Sequence, residues 1–382
     1  MTAAPRLDPD RLRRARAYRR FSLWTGLTST ATGVLVLVAL HVVGMGVFAR
    51  SMTNPMELPY ARPIDAAPIL LVISFFTVIG WIVELPFSYL SWQRGRREGL
   101  VVQSLAGAVT DRLKSLALTL VLAGVPLTAW YVVLPRPDWW LWTIAGATVF
   151  AIIGTLIGPA LTSLFFRFEP LTDQAVADRV RAVAERAGVR VSGVYRWGLG
   201  AKTTAANAAV IGLGPTKRIA LGDTLLAHFP LDEVESVVAH EVGHDVSGDP
   251  PRYVVAFAVA GSAALMLTRI VIDTVTSAGP VHGAADAASY PLVAAAFSVV
   301  GLLGRPALMA FTRWRESAAD AFGARHTSRE SMARALVRLA DQNLADPEPP
   351  RWEEIWFYSH PAIAHRVRAL GLRWEDYTGP AG

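Results

Sequence analysis

The sequence predicts a mainly α fold, a polytopic membrane bundle of about six spans carrying a split soluble domain with a small β-sheet. Three observations lead there. Hydrophobic residues make up 52% of the 382 positions and charged residues only 18%, too apolar a balance for a soluble chain. The apolar residues gather into six blocks long enough to cross a bilayer, which takes about 20 residues of helix. The arginines crowd between those blocks on one side of the chain's path.

In order, the blocks run Trp24–Phe48, Ala67–Ser88, Ser115–Leu134, Trp139–Phe166, Tyr253–Val275 and Tyr290–Phe311. The first follows RLRRARAYRR, a start that resembles a signal peptide. Its apolar run exceeds the roughly 7–15 residues of a signal core, so it reads as a permanent anchor. Basic residues cluster in the tail (Arg11 to Arg20), after the second block (Arg94, Arg96, Arg97, Arg112, Lys114), and after the fourth and sixth. The loop Thr276–Ser289 has neither Lys nor Arg. That asymmetry puts both termini and the large loops in the cytoplasm. It also accounts for the net charge of +6 without a nucleic-acid partner. Two ionisable residues fall inside blocks, Glu84 and Arg305. Snorkelling to the headgroups and lining a functional cavity are both open for them.

The stretch 167–252 is soluble in character. DQAVADRVRAVAERAGV spaces its apolar residues three and four apart, as a helix does. VRVSGVYRW, ANAAVIGLG and KRIALGDTLL read as short strands separated by glycine turns. GLGPTK lacks the spacing of a phosphate loop. Pro230-Leu231-Asp232-Glu233 opens the next helix, with acid in its first turn. The expected organisation is four spans in 1–166, a soluble part in 167–252, two spans in 253–311, and a second soluble part in 312–382. The two soluble parts must then fold together.

The motif VVAHEVGHDVSGD (237–249) lies on that helix. Positions i and i+4 share a face with Cβ atoms about 5–6 Å apart, so His240 and His244 can grip one ion. Glu241 projects beside them, placed to activate a water. The bland alternative is a solvated helix face. The chain has no cysteine, so a metal here is held by His, Asp or Glu, and a catalytic zinc wants three such ligands. FTRWRESAADAFG places Arg313, Glu316 and Asp320 on one face of the helix leaving the sixth block. Glu316 is the candidate third ligand, with Asp320 behind to orient an imidazole. His41 and His282 lie in the first span and the external loop, His228 and His326 are neighbours in sequence only, and His365 reads as solvated.

HEVGH followed by TRWRESAAD resembles the M48 family of integral-membrane zinc metallopeptidases, the Ste24/CAAX prenyl protease branch in particular. ELPFSYLSWQRGRREGLVVQSLAGAVTDRLK (84–114) resembles that family's loop between early spans. TTAANAAVIGLGPTKRIALGDTLL resembles the strands before its zinc helix, and YSHPAIAHRV its S-H-P-x-x-x-x-R motif. Together these cover most of the chain from 84 to 372. The resemblance implies a zincin-like metalloprotease domain, which the arginine asymmetry puts on the cytoplasmic face. The arginine- and alanine-heavy composition, with only Lys114, Lys202 and Lys217 as lysines, points to a GC-rich bacterium and so to its inner membrane. The resemblance also implies one Zn2+ per chain on His240, His244 and Glu316, Glu241 as general base and acid, and Asp320 behind the ligands. His360 and Arg366 would face the substrate and meet the oxyanion, and Asn207 would mark an edge strand that receives substrate as an added strand. The partners implied are a peptide or membrane-protein substrate and the bilayer, with the chain acting as a monomer. Two departures stand out: Ala209 replaces an aromatic frequent in the family, which widens the local pocket, and six spans replace the seven of animal and fungal members. A proteolytically inactive sensor or scaffold keeping the same fold is the alternative, and intact ligands and base speak against it. A transporter would need paired broken helices, and the spans show no such symmetry.

Overall fold

Residues 5–53, 66–276 and 281–378 are described by a computed structural model. The first half is helical: α1 (Pro9–Val42), α2 (Met45–Thr53), α3 (Ala66–Arg97), α4 (Leu105–Leu122), α5 (Gly124–Val133) and α6 (Trp139–Thr162). A mixed segment follows: β1 (Phe168–Pro170), α7 (Gln174–Arg186), β2 (Val194–Trp197), β3 (Ala208–Ile211), β4 (Arg218–Gly222), α8 (Asp223–His228) and α9 (Leu231–Val246). The chain ends in α10 (Asp249–Val275), α11 (Tyr290–His326), α12 (Arg329–Gln342), α13 (Arg351–Phe357) and α14 (Ile363–Ala369).

Among the described residues, six helical segments are long and apolar enough to cross a membrane, one for each block of the sequence. Their limits differ from the blocks in instructive ways. Helix α1 begins at Pro9, where Asp8 caps it by accepting from the Asp10 N–H (3.1 Å). The arginine-rich tail is therefore the first turns of the span helix. Its cations reach the soluble part, Arg11 to Asp341 (2.7 Å), and the loop after α3, Arg14 to Glu98 (3.0 Å). Leu7 is buried with Trp374 and Tyr377, so the two ends of the chain dock together. The third block breaks at Ala123 into α4 and α5, where Pro126 in the first turn of α5 has no N–H to continue the ladder.

The sheet runs β1-β2-β4-β3. β1 pairs antiparallel with β2 (Phe168 opposite Trp197), and β2 runs parallel to β4 (Val194 opposite Ile219). β3 closes the order antiparallel to β4 (Ala208 opposite Leu221) and is an edge strand. Sheet, α7 and α9 share one core of Val180, Ile219, Leu221, Leu225, Val238 and Val242. A separate cluster at the far end of the spans holds Phe76, Tyr131, Leu134 and Ile272. Helix α11 has 37 residues, about 55 Å at 1.5 Å per residue. The hydrocarbon core is about 30 Å thick, so its last turns stand clear of the bilayer. Those turns lie against α9.

Candidate metal centre

His240 and His244 sit in the last two turns of α9, His240 buried and His244 half-buried. Glu316 and Asp320 sit on α11, both buried. The crossing that joins them depends on Gly323: a Cβ there would lie 3.2 Å from the backbone nitrogen of His240. The result brings donor atoms of His240, His244 and Glu316 within 4.8 Å of one another. His240 Nε2 and His244 Nε2 lie 3.2 Å apart, with Glu316 Oε2 3.2 Å from the first and Oε1 3.4 Å from the second.

Behind each imidazole stands a carboxylate, and behind each carboxylate a guanidinium. His240 Nδ1 lies 2.9 Å from Asp320 Oδ1, and Arg366 forks onto Asp320 at 2.7 and 2.6 Å. His244 Nδ1 lies 2.8 Å from Asp249 Oδ2, whose other oxygen accepts from Arg315 Nε at 2.6 Å. The Asp320 pairing was expected, whereas Asp249 and Arg315 were missed. Arg366 was expected to face substrate. It lines the cleft, yet its guanidinium is buried and committed to Asp320. Arg313, on the Glu316 face of α11, donates to the carbonyls of Glu354 (2.7 Å) and Tyr358 (2.9 Å).

The cleft beside these groups has a volume of about 540 Å³ and is lined by His240, Glu241, Asn207, His360 and Arg366 among others. Glu241 is half-buried, and desolvation pushes its carboxyl above the usual carboxylate range, against the pull of both histidines. That is the direction a general base requires. His360 is exposed at the mouth, with Nε2 3.2 Å from Glu316 Oε2 and Nδ1 2.8 Å from Ser359 Oγ. Asn207 is exposed just ahead of β3, and its carbonyl accepts from the Gly222 N–H (2.9 Å). Of the remaining candidates, Glu84 pairs with Arg112 (3.3 Å), and Arg305 lies over the Phe357 ring. His228 and His326 direct Nδ1 at carbonyls of their own helices, and His365 faces Glu354.

The donor set fits a divalent ion. Glu316 Oε2 is buried without an aligned hydrogen bond, an expensive state for a carboxylate oxygen unless a cation meets it. Glu241, Glu316, Asp320 and Asp249 face Arg366, Arg315 and an exposed Arg252 (3.7 Å from Asp249), which leaves one net negative charge when both imidazoles are neutral. Without an ion, protonation of His240 offsets that charge. Burial opposes its charge, but Asp320 and Glu316 prevail and push its pKa up to about 9. Two imidazoles and one carboxylate with no thiolate is a ligand set of catalytic zinc.

Long apolar helices, a small sheet packed on α7 and α9, and this centre between α9 and α11 define a membrane metallopeptidase. Residues 170–373 match the family described as peptidase family M48, and residues 2–167 match the CAAX prenyl protease N-terminal region of five membrane helices. The chain belongs to peptidase family M48. It is 27% identical over 308 residues to an uncharacterized metalloprotease, YhfN, of Bacillus subtilis, covering 76% of this chain and 70% of that one. It is 25% identical over 312 residues to CAAX prenyl protease 1 of Saccharomyces cerevisiae, covering 76% and 69%. The crystal structure of S. mikatae Ste24p shares the fold, with a TM-score of 0.82 over 95% of this chain and 90% of that one at 21% identity. Where the N-terminal family description has five membrane helices, the described residues of this chain hold four long apolar segments and the short α2.

Proposed function

We propose that this metalloprotease is a zinc-dependent endopeptidase of a bacterial inner membrane, with its active site on the cytoplasmic side and peptides or membrane proteins as substrates. The observation that carries the reading is the convergence of His240, His244 and Glu316 from two helices, with Glu241 beside them in an open cleft. His240, His244 and Glu316 would hold one Zn2+. When bound, zinc acidifies water from a pKa of about 15.7 toward about 7 and polarises a carbonyl.

The protein's own groups do the rest. Asn207 and the free edge of β3 align an extended substrate as an added strand, which presents its carbonyl toward the ligand helix. Glu241 takes the proton of the attacking water and delivers it to the nitrogen of the leaving amine, so one carboxylate acts as base and then as acid. His360 Nε2–H meets the negative charge that develops on the carbonyl oxygen, and the Arg366 guanidinium, held on Asp320, favours it through its positive field. Removing one such donor typically costs about 3–4 kcal/mol in the barrier.

The test uses purified protein in detergent and a quenched peptide. Cleavage is expected to need zinc, and Glu241→Gln is expected to retain a full complement of metal with no turnover. Turnover by that variant at full occupancy would remove Glu241 from the mechanism. The same variant in cells, crosslinked and analysed by mass spectrometry, identifies the substrates it retains.

A further inference from the structure

Helix α13, RWEEIWF, is arranged the wrong way round for a helix facing water. Its two carboxylates point inward: Glu353 and Glu354 are buried. Trp352 and Ile355 face outward, 47% and 39% exposed, beside an exposed Arg351. An outward Trp, Ile and Arg is the composition of a helix lying in the plane of a membrane interface.

The depth at which it lies can be read from α11. Arg305 falls in the last turns of the apolar block Tyr290–Phe311, and its guanidinium lies 5.3 Å above the Phe357 ring. Phe357 in turn meets Trp352 edge-on at 6.2 Å. Arg313, two turns further along α11, grips the α13 carbonyls. Trp314 beside it, on another face of α11, is 61% exposed, so the apolar surface of the span continues past Phe311 to the level of α13.

We infer that α13 is an interfacial helix, with Trp352 and Ile355 seated among the headgroups and upper acyl chains of the bilayer that α11 crosses. Arg351 is then placed for lipid phosphate. This gives the bilayer a hold on the catalytic cleft. The segment leaving α13 carries Ser359 and His360. It is held upstream by Arg313 and downstream by Glu354 Oε1, which accepts from the Ala362 N–H (3.0 Å). The height of α13 in the membrane therefore sets the position of His360. The inference rests on the bilayer placement of α11 and is independent of the peptidase chemistry.

The chain has no cysteine, so single labels can be placed cleanly. Spin labels at Trp352→Cys and Ile355→Cys are compared in liposomes with Leu303→Cys on the span and Arg186→Cys on α7, both exposed. The readout is the ratio of collisions with oxygen to collisions with a water-soluble paramagnetic complex. Labels at 352 and 355 are expected to exceed the Arg186 site several-fold and to fall short of Leu303. Ile355→Cys, the milder change, decides the matter if Trp352→Cys fails to insert. A ratio equal to that at Arg186 would overturn the inference. So would spin–spin coupling that disappears on dilution with unlabelled chain, because a second copy would then cover the face.

Discussion

Asp249→Asn keeps the shape of the side chain and removes its charge at a point where two groups depend on it. Asp249 is 1% exposed and serves His244 Nδ1 at 2.8 Å and Arg315 Nε at 2.6 Å. An amide placed there can satisfy one of these donors well, because only one of its two termini accepts. Loss of the partner behind a metal-bound histidine typically costs about 10–100-fold in metal affinity, or about 1.4–2.7 kcal/mol. At free zinc 1,000 times the dissociation constant, binding stabilises the native protein by about 4.1 kcal/mol. A 100-fold loss leaves about 1.4 kcal/mol at that same zinc concentration, by the same relation. The assay is a chelator-competed zinc titration paired with melts in the presence and absence of the metal. The metal-dependent part of the melting shift should shrink to about a third, while the metal-free melt reports separately on Arg315. Unchanged zinc affinity in a folded variant would show that His244 needs no carboxylate to hold it.

Arg366→Ala strands Asp320, whose side chain is 7% exposed, and should destabilise the protein by about 3–5 kcal/mol in a denaturant melt, with Arg366→Lys recovering part of it. Asn207→Ala should raise KM roughly fivefold with kcat little changed, the worth of about one hydrogen bond to bound substrate; steady-state kinetics on the quenched peptide separate the two. In metal-free protein, His240 has its pKa raised from 6.5 to about 9, so its contribution to stability is complete below pH 6.5 and disappears as pH climbs through 9. Zinc must displace that proton, so zinc affinity should run the opposite way, rising across the same window by up to about tenfold per unit. Melts and titrations at three pH values across the window check both slopes.

What the sequence made legible is what helix periodicity carries. His240 and His244 one turn apart, and Glu316 and Asp320 one turn apart, each share a helix face, which is readable without knowledge of the crossing. The six spans follow from length and hydropathy in the same way. Asp249 was not legible because it follows His244 by five residues across a break. Gly248 takes a left-handed conformation (φ 65°), and the chain folds back so that the first residue of α10 returns to the ring. Nothing in the spacing encodes that return. Arg313 shares a helical face with Glu316, as the spacing predicts, but the spacing does not show that its long stem carries the guanidinium to the carbonyls of α13. β1 gave no signal, being three residues that end in Pro170. The strands around Tyr195, Val210 and Ala220 were recognised, but their order depends on long-range pairing.

The two histidines are backed alike but anchored differently. Each Arg pairs with an Asp that stands beside an imidazole Nδ1, which leaves the two Nε2 atoms facing each other and Glu316. For His244, the Arg lies on α11 itself, one residue before Glu316. For His240, it lies on α14, in the same C-terminal segment that supplies His360. One ligand is thus oriented by the helices alone, and the other only once the C-terminal segment has docked. Docking that segment places His360, the proposed oxyanion donor, and completes the orientation of His240 in a single event, so a loosened C-terminus is expected to lower zinc affinity and turnover together. Damage confined to the Asp249–Arg315 pair leaves His360 in place, so zinc restored at high concentration restores the rate.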